Sequence, residues 1–192
     1  MPASDCIITA IDFEGTGKVA GYCDEPWQIG IVDIHAGNVV TDSIFESLLH
    51  IGERPFNRYA PGRHAELRDE ISKAPTMQQI WTRLRPRLEG SLLAAHNTAT
   101  EKRYLIQAFP LHPPLNWIDT LKLSRIAFPS LKSYRLEDLL DRLNLTERVI
   151  EILPGRAPHD ALYDAVGCAV LLLKILALPG WEAVTAEALA QV

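Results

Sequence analysis

The stretch "TAIDFEGTGK", residues 9–18, sets two carboxylates, Asp12 and Glu14, two positions apart at the end of an apolar run. Side chains alternate across a strand, so both acids point to the same side if the strand extends through them. Like charges repel, and burial raises the cost of each. Gly15 and Gly17 follow, where the backbone is free to turn tightly and to let something approach. Such a strand end is either a turn with solvated acids or part of a cation site, and an acid-x-acid pattern alone does not choose.

Outward from this stretch, "CIITAID" (6–12) is short, apolar and rich in β-branched residues, as expected of a central strand. Residues 27–34 and 39–49 read as two further strands, with "HAGN" (35–38) as the turn between them. A polar, arginine-studded stretch, 52–73, carries no regular pattern. Helical spacing returns over 76–89, where Thr76 and Gln79 have capping-box spacing. Then follow a strand (92–96), a helix (100–109), a short strand (116–119) running into a helix that ends near 128, and a helix from Ser133 to about 143. A long apolar helix over 160–178 precedes a last amphipathic piece, 181–192. A meander followed by alternating helices and strands predicts an α/β fold with a five-stranded mixed sheet flanked by α-helices.

The 192 residues fit one domain, 1–178, with 179–192 as a helical tail of that domain after Pro179 and Gly180. A net charge of −5 excludes a global basic field that would draw the protein onto long duplex DNA. Cys6, Cys23 and Cys168 form no CxxC pair, which argues against structural zinc and for a reduced, cytoplasmic setting. The N-terminus lacks the pattern of a signal peptide, and the most apolar segment, 165–178, is short for a membrane span and carries Lys174.

Two more segments carry chemistry. In "LLAAHNTATEKRYL" (92–105) a strand ends at His96–Asn97 and the next helix has Glu101 in its first turn. In "APHDALYDAVGCAVLLL" (157–173) His159 precedes Asp164 by five residues at the start of the long helix. Three remote segments thus offer four carboxylates and one histidine. Divalent cations would relieve their repulsion, and oxygen ligands suit Mg²⁺ or Mn²⁺.

In this order, "DFEGTG", "HN" with an acid five residues after the histidine, and "HDALYD" resemble the DEDDh group of 3′–5′ exonucleases, which has the ribonuclease H-like fold. The resemblance spans about residues 6–178 and includes the linking segment 119–145. It implies hydrolysis at the 3′ end of single-stranded DNA, RNA or short oligonucleotides, releasing nucleoside 5′-monophosphates with two metal ions. Asp12 would bridge the two ions, and Glu14 and Asp164 would complete the shell of one. His159 would be the general base, a role suited to a side chain that ordinarily titrates near pH 6.5. The backbone from Glu14 through Gly15 to Thr16 would hold the terminal nucleotide, with Asn97 and Lys18 as further substrate contacts.

The chain departs from the group's pattern at Glu101, where aspartate is usual. Glutamate reaches roughly 1.5 Å farther, which would bring it to the second ion directly. The competing assignment is a helix cap, since Thr98-x-x-Glu101 has capping-box form. Thr100 and Lys18 stand where the group often has apolar contacts to terminal nucleotides; Lys18 would then touch a phosphate or be solvated. His96 reads as a structural hydrogen-bonding residue. Arg54, Arg58, Arg63 and Arg68, mixed with acids, either line a strand-binding groove or form a solvated loop. The alternative function is a catalytically weak relative that binds nucleic-acid ends or a protein partner. A weaker one is a phosphodiesterase for small nucleotides. The expected partners are single-stranded 3′ ends, with a polymerase or other protein possible, and no membrane.

Overall fold

The computed structural model describes residues 2–181 and 183–192; Met1 and, in the tail, Glu182 lie outside them. Five strands, β1 (Ile8–Gly15), β2 (Pro26–His35), β3 (Asn38–Leu48), β4 (Leu92–Ala95) and β5 (Asn116–Asp119), form one sheet in the order β3-β2-β1-β4-β5. β1 is central as expected. It pairs antiparallel with β2 and parallel with β4, while β2–β3 is antiparallel and β4–β5 parallel. Ala36 and Gly37 both take positive φ between β2 and β3, as a tight hairpin turn requires.

Eight α-helices accompany the sheet among the described residues: α1 (Arg68–Lys73), α2 (Trp81–Leu88), α3 (Ala99–Ala108), α4 (Thr120–Ala127), α5 (Leu136–Arg142), α6 (Thr146–Ile152), α7 (Ala161–Leu176) and α8 (Ala186–Ala190). The period of two in β1 separates two cores. Ile8 and Ala10 pack with Leu162, Val166, Ala169 and Val170 of α7 on one face. Ile11 and Phe13 pack with Leu84 and Leu88 of α2 and Tyr104 and Leu105 of α3 on the other. By that alternation Asp12 and Glu14 belong to the α7 face.

Gly30 is what lets α7 approach. It lies opposite Asp12 in the β1–β2 register, and a Cβ there would sit 2.3 Å from the Leu162 nitrogen and 2.4 Å from the Ala161 carbonyl oxygen. A glycine inside a strand forgoes side-chain packing, and close backbone approach is the usual reason for it. The first turn of α7 is thereby laid over the strand pair beside Asp12. The tail joins the same core: Trp181, Val184 and Leu189 pack with it, and Ala3 N–H donates to the Val184 carbonyl at 2.9 Å.

Three boundaries differ from expectation, and two short helices are added to it. β1 runs on to Gly15, past Asp12, which keeps both acids in extended backbone. The Thr76–Gln79 box does form, Thr76 N–H donating to Gln79 Oε1 at 2.7 Å and Gln79 N–H to Thr76 Oγ1 at 3.3 Å. It closes a turn, however, and α2 starts only at Trp81, because i+3 bonds such as Trp81 N–H to Gln78 O set the tighter geometry before it. Ser133 does not cap α5: its hydroxyl bonds Asp138, and Arg135 holds the N-cap position. The short helices α1 and α6 bury one residue each, Ile71 and Val149, and so leave little apolar period to read. No helix of the described residues is long and apolar enough to cross a membrane.

Candidate active site

Donor atoms of Glu14, His159 and Asp164 lie within 4.8 Å of one another at the end of β1 and the start of α7. Asp160 caps α7, accepting from Leu162 and Tyr163 N–H at 3.1 and 3.2 Å, and this fixes the helix start one turn before Asp164. Asp160 is itself held by Gln28, whose Nε2 donates to Asp160 Oδ2 at 3.2 Å and whose Oε1 accepts Ala161 N–H at 3.3 Å. Arg156 donates to Asp160 at 2.7 Å and to Glu46 at 2.8 Å, tying the loop before α7 to β3. Between these anchors His159 takes φ of +66°, and its N–H donates to Asp164 Oδ2 at 3.1 Å. Its Nε2 lies 3.7 Å from Glu137 Oε2 on α5.

Glu101 enters from α3. It is 3% exposed, and its Oε2 is buried without a hydrogen-bond partner among the described residues. The helix-cap assignment for this residue does not hold. Thr98 makes no side-chain cap; its N–H and hydroxyl both donate to Asp119 Oδ2, each at 3.2 Å. Asp119 also takes Leu121 and Lys122 N–H as the cap of α4, so one carboxylate joins β5, α4 and the start of α3.

The acids repel as their positions dictate. Burial, then Asp164, Glu101 and Glu14, hold the Asp12 carboxyl well above the usual range. Burial, then Asp164 and Asp160, raise Glu14 to about 8. Glu101 rises to about 8 and Asp164 to about 7, burial again the largest cause; a bond from the His159 N–H opposes the rise at Asp164. Among the described residues no lysine or arginine pairs with any of these four, since the nearby Arg103 and Arg156 are spent on Asp24, Asp160 and Glu46.

A carboxyl whose pKa is higher folded than unfolded binds more protons in the native state, so stability falls as pH rises between the two values. Unfolded carboxyls titrate near pH 4. The metal-free protein is therefore expected to lose thermal stability steadily from about pH 4.5 to pH 8, and Mg²⁺ or Mn²⁺ at pH 8 should restore it. Calorimetry with and without the ion checks this; a melting temperature rising across that window contradicts it. Asp24, whose carboxyl is depressed, works in the opposite sense and only below about pH 4.

Asp24 organises the turn after β1. Burial alone would raise its carboxyl, but bonds from Arg103, Tyr104 and Gly17 outweigh this and hold it low. Gly17 N–H and Tyr104 OH donate to it at 2.8 Å and Arg103 at 2.7 Å. Gly15 leaves room for this bond, since a Cβ would fall 2.0 Å from the Tyr104 hydroxyl. Thr16 is buried; its N–H donates to Glu25 O and its carbonyl accepts Asn57 N–H, both at 2.8 Å. Lys18 and Asn97 are exposed, Asn97 with φ of +72°. His96 bonds through both ring nitrogens, to Thr120 Oγ1 at 3.0 Å and the Tyr134 carbonyl at 2.8 Å.

The structure thus gathers Glu14, His159 and Asp164 tightly, with Asp12 and Glu101 within their electrostatic reach and Lys18 and Asn97 at the surface. Sequence reading passed over Asp24, Gln28, Asp119, Arg156 and Asp160. For Asp119 and Asp160 a signal existed, an aspartate immediately before a helical run; for the others there was none.

These elements and this cluster define a nuclease of the ribonuclease H-like fold. The sequence profile of the exonuclease family matches residues 9–172, and the chain belongs to that family, as a 3′–5′ exonuclease of the DEDDh group with Glu101 in the second motif. It is 29% identical over 181 residues to the DNA polymerase III subunit epsilon-like protein of Rhodobacter capsulatus, covering 91% of this chain and 24% of that one. It is 29% identical over 169 residues to exodeoxyribonuclease 10 of Escherichia coli K12, covering 86% and 69%. Exonuclease X, solved in complex with 5′-overhanging duplex DNA, superposes with a TM-score of 0.73 at 27% identity over 96% of this chain and 98% of that one.

Proposed function

We propose that this site hydrolyses the last phosphodiester bond at the 3′ end of single-stranded DNA or RNA, or of short oligonucleotides, and releases nucleoside 5′-monophosphates. The observation that carries the reading is the packing of Glu14, His159 and Asp164 donor atoms within 4.8 Å, with Asp12 and Glu101 beside them and, among the described residues, no lysine or arginine paired with any of these acids.

The residues suit a divalent cation. The buried, unpartnered Glu101 Oε2 is costly unless a ligand meets it, and the mostly oxygen donor set favours Mg²⁺ or Mn²⁺. Asp12, Glu14, Glu101 and Asp164 would hold two such ions, which supply Lewis-acid stabilisation of the phosphate and a water of lowered pKa. The chain's own contribution is positional. His159, exposed enough at 39% of its side chain to meet solvent, accepts the proton of the attacking water, and Glu137 stabilises the resulting imidazolium. Asp24 holds the Gly15–Gly17 turn rigid, so the terminal nucleotide meets a preformed wall. The acidic balance supports strand ends over unaided travel on duplex DNA. The likeness to the epsilon-like protein supports a polymerase as a partner that would supply affinity.

A 3′-labelled and a 5′-labelled oligonucleotide test the reading together. Mononucleotides should leave the 3′ end first, only with Mg²⁺ or Mn²⁺, and EDTA should stop the reaction. Glu101→Gln should raise the ion concentration for half-maximal rate by more than about 10-fold, since losing even a ligand's outer support costs 10–100-fold in metal affinity. Activity persisting in EDTA, or wild-type ion dependence in Glu101→Gln, would overturn the respective assignment.

A further inference from the structure

The stretch that shows no pattern in sequence, 52–73, folds against both walls of the site. Asn57 fixes it through four hydrogen bonds. Its N–H donates to the Thr16 carbonyl at 2.8 Å and its Nδ2 to the Lys18 carbonyl at 2.7 Å. Its Oδ1 accepts Tyr59 N–H and its carbonyl accepts Ala60 N–H, both at 2.9 Å. Five residues on, Gly62 touches the other wall, where a Cβ would lie 2.8 Å from the His159 carbonyl oxygen. Residues 57–62 therefore bridge the turn that follows Glu14 and the loop that carries His159.

At the crest of this bridge stands Tyr59, 78% exposed, with the Arg58 guanidinium 4.8 Å from its ring centre. The neighbouring aromatics are used internally: Phe56 stacks on His64 and meets Trp27 edge-on. So are the other cations of the stretch. Arg54 pairs with Glu25, Arg63 with Glu66, and Arg68 donates to the Arg54 carbonyl while covering the Phe56 ring. Among the described residues Arg58 has no carboxylate partner. Of the four arginines of the stretch, Arg58 is the one whose guanidinium makes no hydrogen bond or ion pair among the described residues.

An aromatic ring held out on a hydrogen-bonded turn, beside an unpaired guanidinium, is the chemistry that receives an unstacked base and its phosphate. A chain of net charge −5 with an acid cluster at its site needs such a local cation to hold a polyanion. We propose that Arg58 and Tyr59 form the subsite for the strand upstream of the scissile bond, Tyr59 stacking on a base and Arg58 contacting a backbone phosphate. The ligand class is single-stranded nucleic acid of at least two nucleotides. The assignment deepens the exonuclease reading and rests on it.

Two substrates separate the subsite from the chemistry: a single-stranded ten-nucleotide DNA, and thymidine 5′-(p-nitrophenyl phosphate), which has the scissile ester but no upstream strand. For Tyr59→Ala the ratio of kcat/KM on the oligonucleotide to that on the ester should fall by about 5- to 100-fold, the range of one lost base stack. Tyr59→Phe should retain the wild-type ratio. Arg58→Gln should lower the oligonucleotide's salt-dependence slope by about 0.7, one phosphate contact on a single strand. An unchanged ratio in Tyr59→Ala overturns the subsite and leaves the exonuclease reading intact. A wild-type protein inert on both substrates overturns the exonuclease reading instead. In that case fluorescence anisotropy of the same labelled oligonucleotide, in EDTA, still decides the surface: weaker binding by Tyr59→Ala supports it, and equal binding rejects it.

Discussion

Asp12→Asn and Asp164→Asn should each reduce turnover to the background of a metal-free control, a larger loss than the 10–100-fold that follows from removing a ligand's supporting partner. Both acids sit where burial and their neighbours oppose ionisation, so under the proposed function the charge they carry would be maintained only against a bound cation. The amide keeps the shape and removes that charge. Stability should move the other way. At pH 8 and without metal, Asp12→Asn relieves repulsion from Asp164, Glu101 and Glu14 and should melt higher than wild type, by about 2–4 °C per kcal/mol relieved for a chain of this size. Near pH 4.5, where the folded carboxyl is protonated, the difference should vanish. Added Mg²⁺ should raise the wild-type melting temperature and leave the variant nearly unmoved. A variant that turns over at the wild-type rate, or that melts lower than wild type at pH 8, would contradict the assignment.

His159→Asn should lower kcat by ~10²–10⁴, the usual contribution of a general base. Asparagine is the better substitution than alanine because it also tolerates the left-handed backbone that this position requires, φ +66°. The N–H bond to Asp164 and the packing of Gly62 against the carbonyl are then kept. Exogenous imidazole should restore part of the lost rate. The closeness of His159 to Glu14 and Asp164 gives the experiment a second edge. As a base, its loss lowers kcat at every ion concentration with the half-saturation value unchanged. As a ligand, its loss raises that value, and the rate recovers at high Mg²⁺.

The arrangement around these residues explains why single changes outside the cluster are expected to matter less. Each acid rides on an element tied down by a different polar residue: Asp24 joins the turn after β1 to α3, Asp119 joins β5 and α4 to the start of α3, and Asp160 joins α7 to β2 through Gln28. Positioning is shared among several bonds, whereas the charge at Asp12 or Asp164 has no substitute.

The sequence by itself determined the parts of this protein that obey a local period or a local turn. Alternation put Asp12 and Glu14 on one side of a strand extending through both, and the structure runs β1 through them and buries Ile8 and Ala10 of that same face under α7. The unbroken apolar run after Asp164 announced α7, and the turn residues 35–38 announced the β2–β3 hairpin. The order of three acid-bearing segments was enough to show the exonuclease pattern. Tertiary structure alone decided which polar side chains hold those segments in place. Gln28 meets Asp160 across 132 residues of chain and Arg103 meets Asp24 across 79, and a bond between remote segments leaves no periodic mark in either. The same holds for Gly30, whose need appears only when α7 lies on it, and for Thr98, whose capping-box spacing was real but whose partner became Asp119 once β5 was paired beside β4. The arginines of 52–73 were identical in kind as sequence. Only folding, by pairing Arg54 and Arg63 with acids and turning Arg68 onto Phe56, left Arg58 with its charge unspent.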